Sequence, residues 1–284
     1  MSRERQLARR VVHRVKTRIR PPAPAPHRET PRDYFLAQSE LLHRYAGRPV
    51  PPGIDLTPAE LRVSSQNGED GIIAEIMRRI GHSGPGYFVE FGVESGIEAN
   101  CVFLADALGW SGLLIEADPE FYSRLERRYR ANPRVRTLQS FVTPENIERL
   151  LDEAGAPDEP EVFSIDIDSD DYYVWEQLER RPKLLIIEYN GQLPVDAMLV
   201  QQRGETWRAT DYYGASLGAL EALGRQKGYR LVHTDLAGVN AFFVRDDLGE
   251  QWPEPPRRST NFFLIGYEHP PDADGRQYID VAAG

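Results

Sequence analysis

The apolar positions along the chain recur in two patterns, and their alternation predicts the order of the elements. Short runs of β-branched and aromatic residues are typical of buried strands, whereas apolar residues three and four positions apart are typical of amphipathic helices. The runs predict strands at 87–91, 112–116, 135–139, 161–166, 183–188, 229–234 and 240–245. The spacing predicts helices at 33–45, 70–80, 121–129 and 216–227, with shorter ones beginning near 102, 144 and 170.

This order of elements predicts the architecture. Strands that alternate with helices form a parallel, doubly wound sheet, so we expect an α/β protein. The last two strands are joined by the short segment 235–238, which makes the final strand antiparallel. We therefore predict a mostly parallel seven-stranded sheet with a helical N-terminal extension. The predicted divisions are a basic leader and Pro-rich linker at 1–30, a helical extension at 31–62, the sheet domain at 63–250 and a C-terminal tail at 251–284.

The turn after the first strand has the spacing of a ligand-binding loop. The strand ends at Gly92 and Gly96, and glycines there let the backbone approach a nucleotide-like ligand. The pattern Glu90-x-Gly92-x-x-x-Gly96 differs from Gly-x-Gly-x-x-Gly, the pyrophosphate fingerprint. Carboxylates around the turn suit a ligand with an ammonium or sulfonium charge. Taken alone, a tight strand–helix junction explains the turn equally well.

The second strand supplies the context for this turn. It ends at Glu116, 20 positions after Gly96, which is the place of an acid that accepts hydrogen bonds from ribose hydroxyls. Asp118 and Pro119 then have the residue types of an N-cap and a first helical position. A solvated glutamate at a strand end is the alternative interpretation of Glu116.

These residues resemble motif I and the following acid of class I S-adenosylmethionine (SAM) methyltransferases. Segment 65–70 and Asn100 are similar to the FkbM-like branch of that family, and the resemblance covers roughly 63–247. Glu94 stands where many class I enzymes have a glycine. The resemblance implies SAM as the cofactor. Different residues would bind its methionine end, its ribose and its adenine. The implied cofactor-binding residues are Gln66, Glu90, Gly92, Gly96, Asn100, Glu116, Ser140 and Phe141.

A second group of polar residues follows the fourth and fifth strands. Asp166 and Asp168 come after one strand, and Glu188 and Asn190 after the next. Carboxylates at neighbouring strand ends repel one another unless a cation or proton lies among them, and hard oxygen ligands suit Mg²⁺ or Ca²⁺. We therefore predict a Mg²⁺ site at these four residues, a placement that resembles metal-dependent O-methyltransferases. Ordinary loop acids that cap the following helix are the alternative.

The predicted catalytic residues are Asp166, Glu188 and His233. The two acids would hold or activate an acceptor hydroxyl, and His233, late in the sixth strand, would face the cleft as a base. A histidine in a strand is more often structural, so that alternative stays open. Residues 190–213 are polar, aromatic and too long for an ordinary connection, which predicts a substrate lid.

Charge and composition restrict the partners. The net charge of −10 argues against general nucleic-acid binding, and the single cysteine, Cys101, agrees with a reducing compartment. The sequence shows no membrane span and no signal peptide, so we expect a cytoplasmic protein. Residues 1–20 hold eight Lys and Arg and one acid, with an apolar residue at every fourth position. This leader would lie on an anionic membrane surface, at its inner face, or be a disordered basic tail.

The sequence thus predicts a SAM-dependent methyltransferase that O-methylates a hydroxyl of a sugar, glycan or natural product. The sugar follows from the FkbM-like resemblance alone, and the oligomeric state is open. A metal-dependent glycosyltransferase is the first alternative, because Asp166-x-Asp168 also matches a DxD motif. A non-catalytic adaptor that binds SAM is the second.

Overall fold

The structure is a computed structural model that describes residues 31–47, 55–249 and 252–282. The basic leader and its linker lie outside the described residues, so the expectations for them remain predictions. The strands are β1 (Tyr87–Phe91), β2 (Ser111–Glu116), β3 (Val135–Gln139), β4 (Val162–Ile165), β5 (Leu184–Glu188), β6 (Leu199–Val200), β7 (Tyr229–Thr234), β8 (Asn240–Arg245) and β9 (Ile279–Asp280). The helices are α1 (Pro31–Tyr45), α2 (Glu69–Arg79), α3 (Val102–Asp106), α4 (Pro119–Tyr129), α5 (Ile147–Ala154), α6 (Asp171–Gln177), α7 (Leu217–Lys227) and α8 (Phe262–Ile265), with a 3₁₀ turn at Thr57–Ala59.

Seven of these strands form one sheet in the order β3-β2-β1-β4-β5-β8-β7. Strands β1 to β5 pair in parallel, and β8 runs antiparallel to both of its neighbours, β5 and β7. The predicted sheet, including its antiparallel last strand, is confirmed, and its order is that of the class I methyltransferase fold. The chain enters the sheet at β1, adds β2 and β3 on one side of it and then crosses to β4 on the other side. The order therefore reverses between β1 and β4, where open α/β sheets bind ligands.

The sheet is covered on both faces, as its continuous apolar strands require. Val89 and Phe163 point to the face that packs on α5, α6 and α7. Phe88 and Leu114 point to the opposite face, which packs on α2, α3 and α4. Position 112 within β2 requires glycine, because a Cβ there would lie 2.4 Å from the Phe88 ring. The two cores fix the level at which the strands end, and hence the positions of the polar residues beyond them.

The C-terminal tail forms a second, smaller layer over the lid. Strand β9 pairs antiparallel with β6, which lies in the predicted lid. The sequence pattern did not predict this pair, because each strand has two residues and the partners are about 80 positions apart in the chain. Within the described part of the chain, no helix has the length and hydrophobicity that crossing a bilayer requires.

Candidate functional site

The glycine turn is shaped by close contact with the next strand of the sheet. Gly92 has φ +81, and a Cβ on it would lie 1.9 Å from the carbonyl oxygen of Asp166. Gly96 has φ +69, and a Cβ there would lie 2.6 Å from Leu125 in α4. Only glycine meets both demands without strain. The turn is thereby held between the end of β4 and the outer helix.

Glu94 takes a backbone conformation that glycine usually takes. Its φ is +50, so the residue that departs from the family pattern keeps the left-handed backbone. Its N–H donates a 2.7 Å hydrogen bond to Oε2 of Glu116, which links the turn to the end of β2. The chain therefore retains the shape of the turn and adds a negative charge to its exposed side.

Glu90 anchors the far end of the same loop. Its two carboxylate oxygens accept hydrogen bonds from the backbone N–H groups of Asn100 and Cys101, at 2.7 and 2.8 Å. The Asn100 side chain in turn donates to Ser164 Oγ on β4, at 3.0 Å. Burial outweighs the backbone hydrogen bonds and raises the pKa of Glu90 to about 7. In these contacts Glu90 and Asn100 hold the loop in place.

Glu116 holds the glycine turn in place and lies where the sequence predicts an acceptor for ribose hydroxyls. Besides Glu94 N–H, it accepts a 2.7 Å hydrogen bond from Asp118 N–H through Oε1. Its side chain is almost fully buried, and burial raises its pKa to about 7. A carboxylate oxygen accepts more than one hydrogen bond, so both oxygens keep acceptor capacity for a ligand. Asp118 caps α4 as its sequence predicted, through bonds to Glu120 and Phe121.

The remaining predicted cofactor residues lie around this turn. Ser140 follows β3, and its N–H donates to the carbonyl of Glu116 at 3.1 Å, so Ser140 and Phe141 lie beside the end of β2. Gln66 is exposed, just ahead of α2. Its segment reaches the loop through a 3.1 Å bond from Ala99 N–H to Ser64 O. The loops that carry all eight predicted residues therefore gather at the same edge of the sheet.

Three of the four predicted metal ligands converge. One carboxylate oxygen each from Asp166, Asp168 and Glu188 lies within 4.8 Å of the others, and all three residues are half-buried. We call these residues the acid cluster. Asp168 has φ +58, an uncommon conformation for a non-glycine residue. Its loop is held by Asp171, which accepts hydrogen bonds from Ile167 and Ser169 N–H at 2.8 and 2.9 Å. Asp171 was not among the predicted site residues.

Asn190, the fourth predicted ligand, is occupied elsewhere. Its Nδ2 donates to the carbonyls of Asp211 and Tyr213 and lies 2.9 Å from the Tyr278 hydroxyl. Its Oδ1 accepts from Gln192 N–H at 3.0 Å. The side chain is fully buried in these contacts. Asn190 therefore ties the lid to the C-terminal tail, and the acid cluster consists of the three carboxylates.

His233 is also enclosed away from the acid cluster. It is fully buried on β7, and its Nε2 lies 3.1 Å from Glu60 Oε1. Burial is the main cause that lowers the pKa of His233 to about 3, so the imidazole is neutral at pH 7. Burial raises the pKa of Glu60 to about 7. These contacts bury His233 beside Glu60, so it does not face the acid cluster as predicted.

An aromatic group from the lid and the tail adjoins the acid cluster. Burial and the charges of Glu188 and Asp168 raise the pKa of Tyr213. The Tyr213 ring lies 5.5 Å from that of His269, which also contacts Trp207 at 5.1 Å. His269 was not among the predicted site residues, since no local pattern in the sequence links 207–213 to 269. The abundance of aromatic residues in both segments is the one signal that could have joined them.

Comparison with known proteins finds similar solved structures but no sequence relative. No protein-family profile matches the chain, and no curated protein matches its sequence. Similar solved structures include the N-terminal domain of EvdMO1 in the presence of SAH and D-fucose, with 14% identity over 77% of this chain and 97% of that chain and a TM-score of 0.44. A putative sarcosine dimethylglycine methyltransferase from Galdieria sulphuraria is 12% identical over 69% and 75%, with a TM-score of 0.38.

A third structure, M. jannaschii TYW2 in complex with AdoMet, is 16% identical over 61% of this chain and 75% of that chain, with a TM-score of 0.35. At such identities the likeness concerns the fold alone.

Proposed function

We propose that this chain is a SAM-dependent methyltransferase of the FkbM-like branch that methylates a hydroxyl of a sugar, glycan or natural product. The proposal rests on the region beyond the carboxyl ends of β1 and β4, where the strand order reverses; we call this region the crevice. There the glycine turn contacts Glu116 on one side and the backbone of Asp166 on the other. A cofactor site and an acid cluster thus share one crevice, as transfer between two bound molecules requires.

The residues of the crevice fit SAM. The glycine turn is exposed at Gly92 and leaves no side chain between the backbone and a ligand. Glu116 retains acceptor capacity for the two ribose hydroxyls. The carboxylates of Glu94 and Glu116 would repel a pyrophosphate and favour the sulfonium and ammonium charges of SAM. When bound, SAM supplies an electrophilic methyl group.

The acid cluster would serve the acceptor. The bond from the acceptor oxygen to the methyl carbon forms as the carbon–sulfur bond breaks, and the hydroxyl proton must leave. A neutral hydroxyl is a weak nucleophile, so it needs a base, a cation or both. Asp166, Asp168 and Glu188 would hold Mg²⁺ against this hydroxyl and lower its pKa. Asp166 or Glu188 would accept the proton, since His233 is enclosed with Glu60.

Calorimetry with SAM tests the cofactor half of the proposal. We expect micromolar binding by the full chain. Glu116→Ala removes the ribose acceptor, which should weaken binding by about 1.5–3 kcal/mol because charge-assisted hydrogen bonds are lost. Glu120→Ala, an exposed acid four residues further on, is the matched control. Absence of SAM binding, or equal affinity in the Glu116 variant, would refute the assignment.

Nothing in the geometry favours the two alternatives. A glycosyltransferase that used Asp166 and Asp168 as a DxD motif would leave the contact between Glu116 and the glycine turn without a role. It predicts affinity for a nucleotide sugar and none for SAM. An adaptor predicts SAM binding without transfer of a labelled methyl group to any cellular glycan or lipid. These two measurements separate the three functions.

A further inference from the structure

The large hydrophobic side chains that face solvent are unevenly distributed over the described residues. Three lie on α1, and the others lie on loops and segments at the carboxyl edge of the sheet, where the crevice opens. This second group consists of Ile97, Leu236, Phe262, Phe263, Leu264 and Ile279. The loops at the opposite edge contribute none within the described part of the chain. These six side chains thus lie on the side of the sheet on which the crevice opens.

The most exposed of these side chains is held in a fixed position. Phe263 is 93% exposed at the tip of α8, a single turn of helix in the tail. Ahead of that turn, Thr260 N–H donates to Gly191 O at 3.0 Å, and Asn261 N–H donates to Ala237 O at 2.7 Å. A Cβ on Gly191 would lie 2.4 Å from Thr260 Oγ1, so the tail lies directly against the loop after β5.

The chain beyond α8 is anchored as well. The His269 ring packs against the rings of Trp207 and Tyr213 in the lid. The turn that carries Phe263 is therefore fixed at both ends and projects into water. A phenylalanine left in water forgoes the free energy of burial, which a binding partner would recover.

We propose that the carboxyl edge docks on a lipid surface, with Phe263 and Leu264 inserted between the headgroups. The exposed residues sit on three projections, namely the glycine turn with Ile97, the β7–β8 turn with Leu236 together with the adjoining α8, and β9 with Ile279. Separate projections around a polar crevice suit a soft, deformable surface, whereas protein partners bury contiguous patches. In this orientation the acid cluster faces the level of the headgroups.

The charge of the chain agrees with a lipid partner. Residues 1–20 hold eight of the 34 basic residues and one of the 44 acidic ones, so the rest of the chain is strongly acidic. Attraction to anionic lipid must then come from the leader, and the apolar tips supply a contact that salt does not screen. Two weak signals of different kinds give stable membrane attachment where one does not. Docking itself does not require methyl transfer, and only the nature of the presented acceptor rests on the proposed function.

Vesicle sedimentation of the full chain tests the docking. The probes are vesicles of phosphatidylcholine alone and of phosphatidylcholine with phosphatidylglycerol. We expect the chain to bind the anionic vesicles. The bound fraction should fall as salt is added and then level off at a remainder that salt does not reduce. The double variant Phe263→Ser, Leu264→Ser should lose that remainder, about a tenfold decrease in partition. Leu36→Ser, an exposed leucine on α1, is the matched control and should bind like the wild type.

A fluorescent variant locates the contact. Phe263→Trp should shift its emission to shorter wavelength on the vesicles and be quenched by brominated phosphatidylcholine, relative to the wild-type background. Unchanged emission in a chain that still pellets would overturn the proposal, because the leader alone would then make the contact. No pelleting, or a dimer that dissociates in the double variant, would overturn it in favour of a protein partner or a second copy. SAM calorimetry on the same samples tests the proposed function separately.

Discussion

The two sides of the crevice use their acids in different ways. On the proposed cofactor side, Glu90 and Glu116 each accept two backbone hydrogen bonds and are almost fully buried. On the proposed acceptor side, Asp166, Asp168 and Glu188 are half-buried, with one carboxylate oxygen of each within 4.8 Å of the others. The first pair therefore builds the loops, while the second group concentrates negative charge. An acid at the end of a strand is an ambiguous signal, and its hydrogen-bond donors decide which role it has.

The largest expected effect is on the acceptor side. Asp166→Asn or Glu188→Gln should lower methyl transfer on the order of a thousandfold, because the acceptor loses its base and cation ligands. SAM affinity should stay within about threefold, since neither side chain is assigned to the cofactor. Transfer from labelled SAM to cell glycans and lipids, together with calorimetry, measures both quantities.

Glu176→Gln, an exposed acid on α6, is the control for this pair of variants. Full activity in excess EDTA would show that no metal takes part, and base catalysis by the same carboxylates would remain as the mechanism. A loss of SAM affinity in Asp166→Asn would show that this residue belongs to the cofactor site. The two groups of acids would then no longer have separate roles.

On the cofactor side the largest expected effect is on stability. Glu90→Ala leaves the N–H groups of Asn100 and Cys101 buried without their acceptor, which should reduce the free energy of unfolding by about 2–4 kcal/mol. Urea denaturation measures the change, and Glu120→Ala should leave the free energy of unfolding almost unchanged. A Glu90 variant as stable as the wild type would show that this carboxylate does not hold the loop.

The buried acids also predict how stability depends on pH. Burial raises the pKa values of Glu60, Glu90 and Glu116 to about 7. An acid with a raised pKa in the folded state stabilises the fold fully below its unfolded pKa, and this contribution is lost as pH rises through the folded value. The free energy of unfolding should therefore fall between pH 5 and 8, by about 2 kcal/mol for each acid with this shift. Glu116→Gln should flatten part of this fall, and a wild-type profile that rises over the same range would contradict the assignment.

The smallest expected effect concerns His233. Glutamine can still donate a hydrogen bond to Glu60, so His233→Gln should keep methyl transfer within about twofold and cost less than about 1 kcal/mol of stability. Initial rates against pH test the point, because a catalytic histidine would also contribute an ionisation to the rate profile. A large loss of rate without a loss of stability would return His233 to the catalytic group.

The sequence predicted the sheet well because each strand carries its own local signal. Strands β1, β3, β7 and β8 begin and end as predicted, β2 and β5 differ by one residue at one end, and β4 differs by one residue at each end. The contacts that distinguish structural from chemical roles are long-range. His233 and Glu60 are separated by 173 positions, and Asn190 and Tyr278 by 88. No periodicity within a strand or helix reports such pairs, so the roles predicted for Asn190 and His233 could not be weighed from the sequence.

The insertion of β8 between β5 and β7 has a consequence for synthesis on the ribosome. Strand β5 finds its outer neighbour only when residues 240–245 have emerged, although its own residues are complete at 188. Until then the apolar run 184–188 is an unpaired edge, the kind of surface that associates with other nascent chains. The hydrogen bond between Asn190 and Tyr278 can form only when almost the whole chain has been made. Truncation before 240 should therefore yield an aggregation-prone fragment, whereas truncation just before 278 should leave the sheet closed and remove only the Tyr278 contact of the lid.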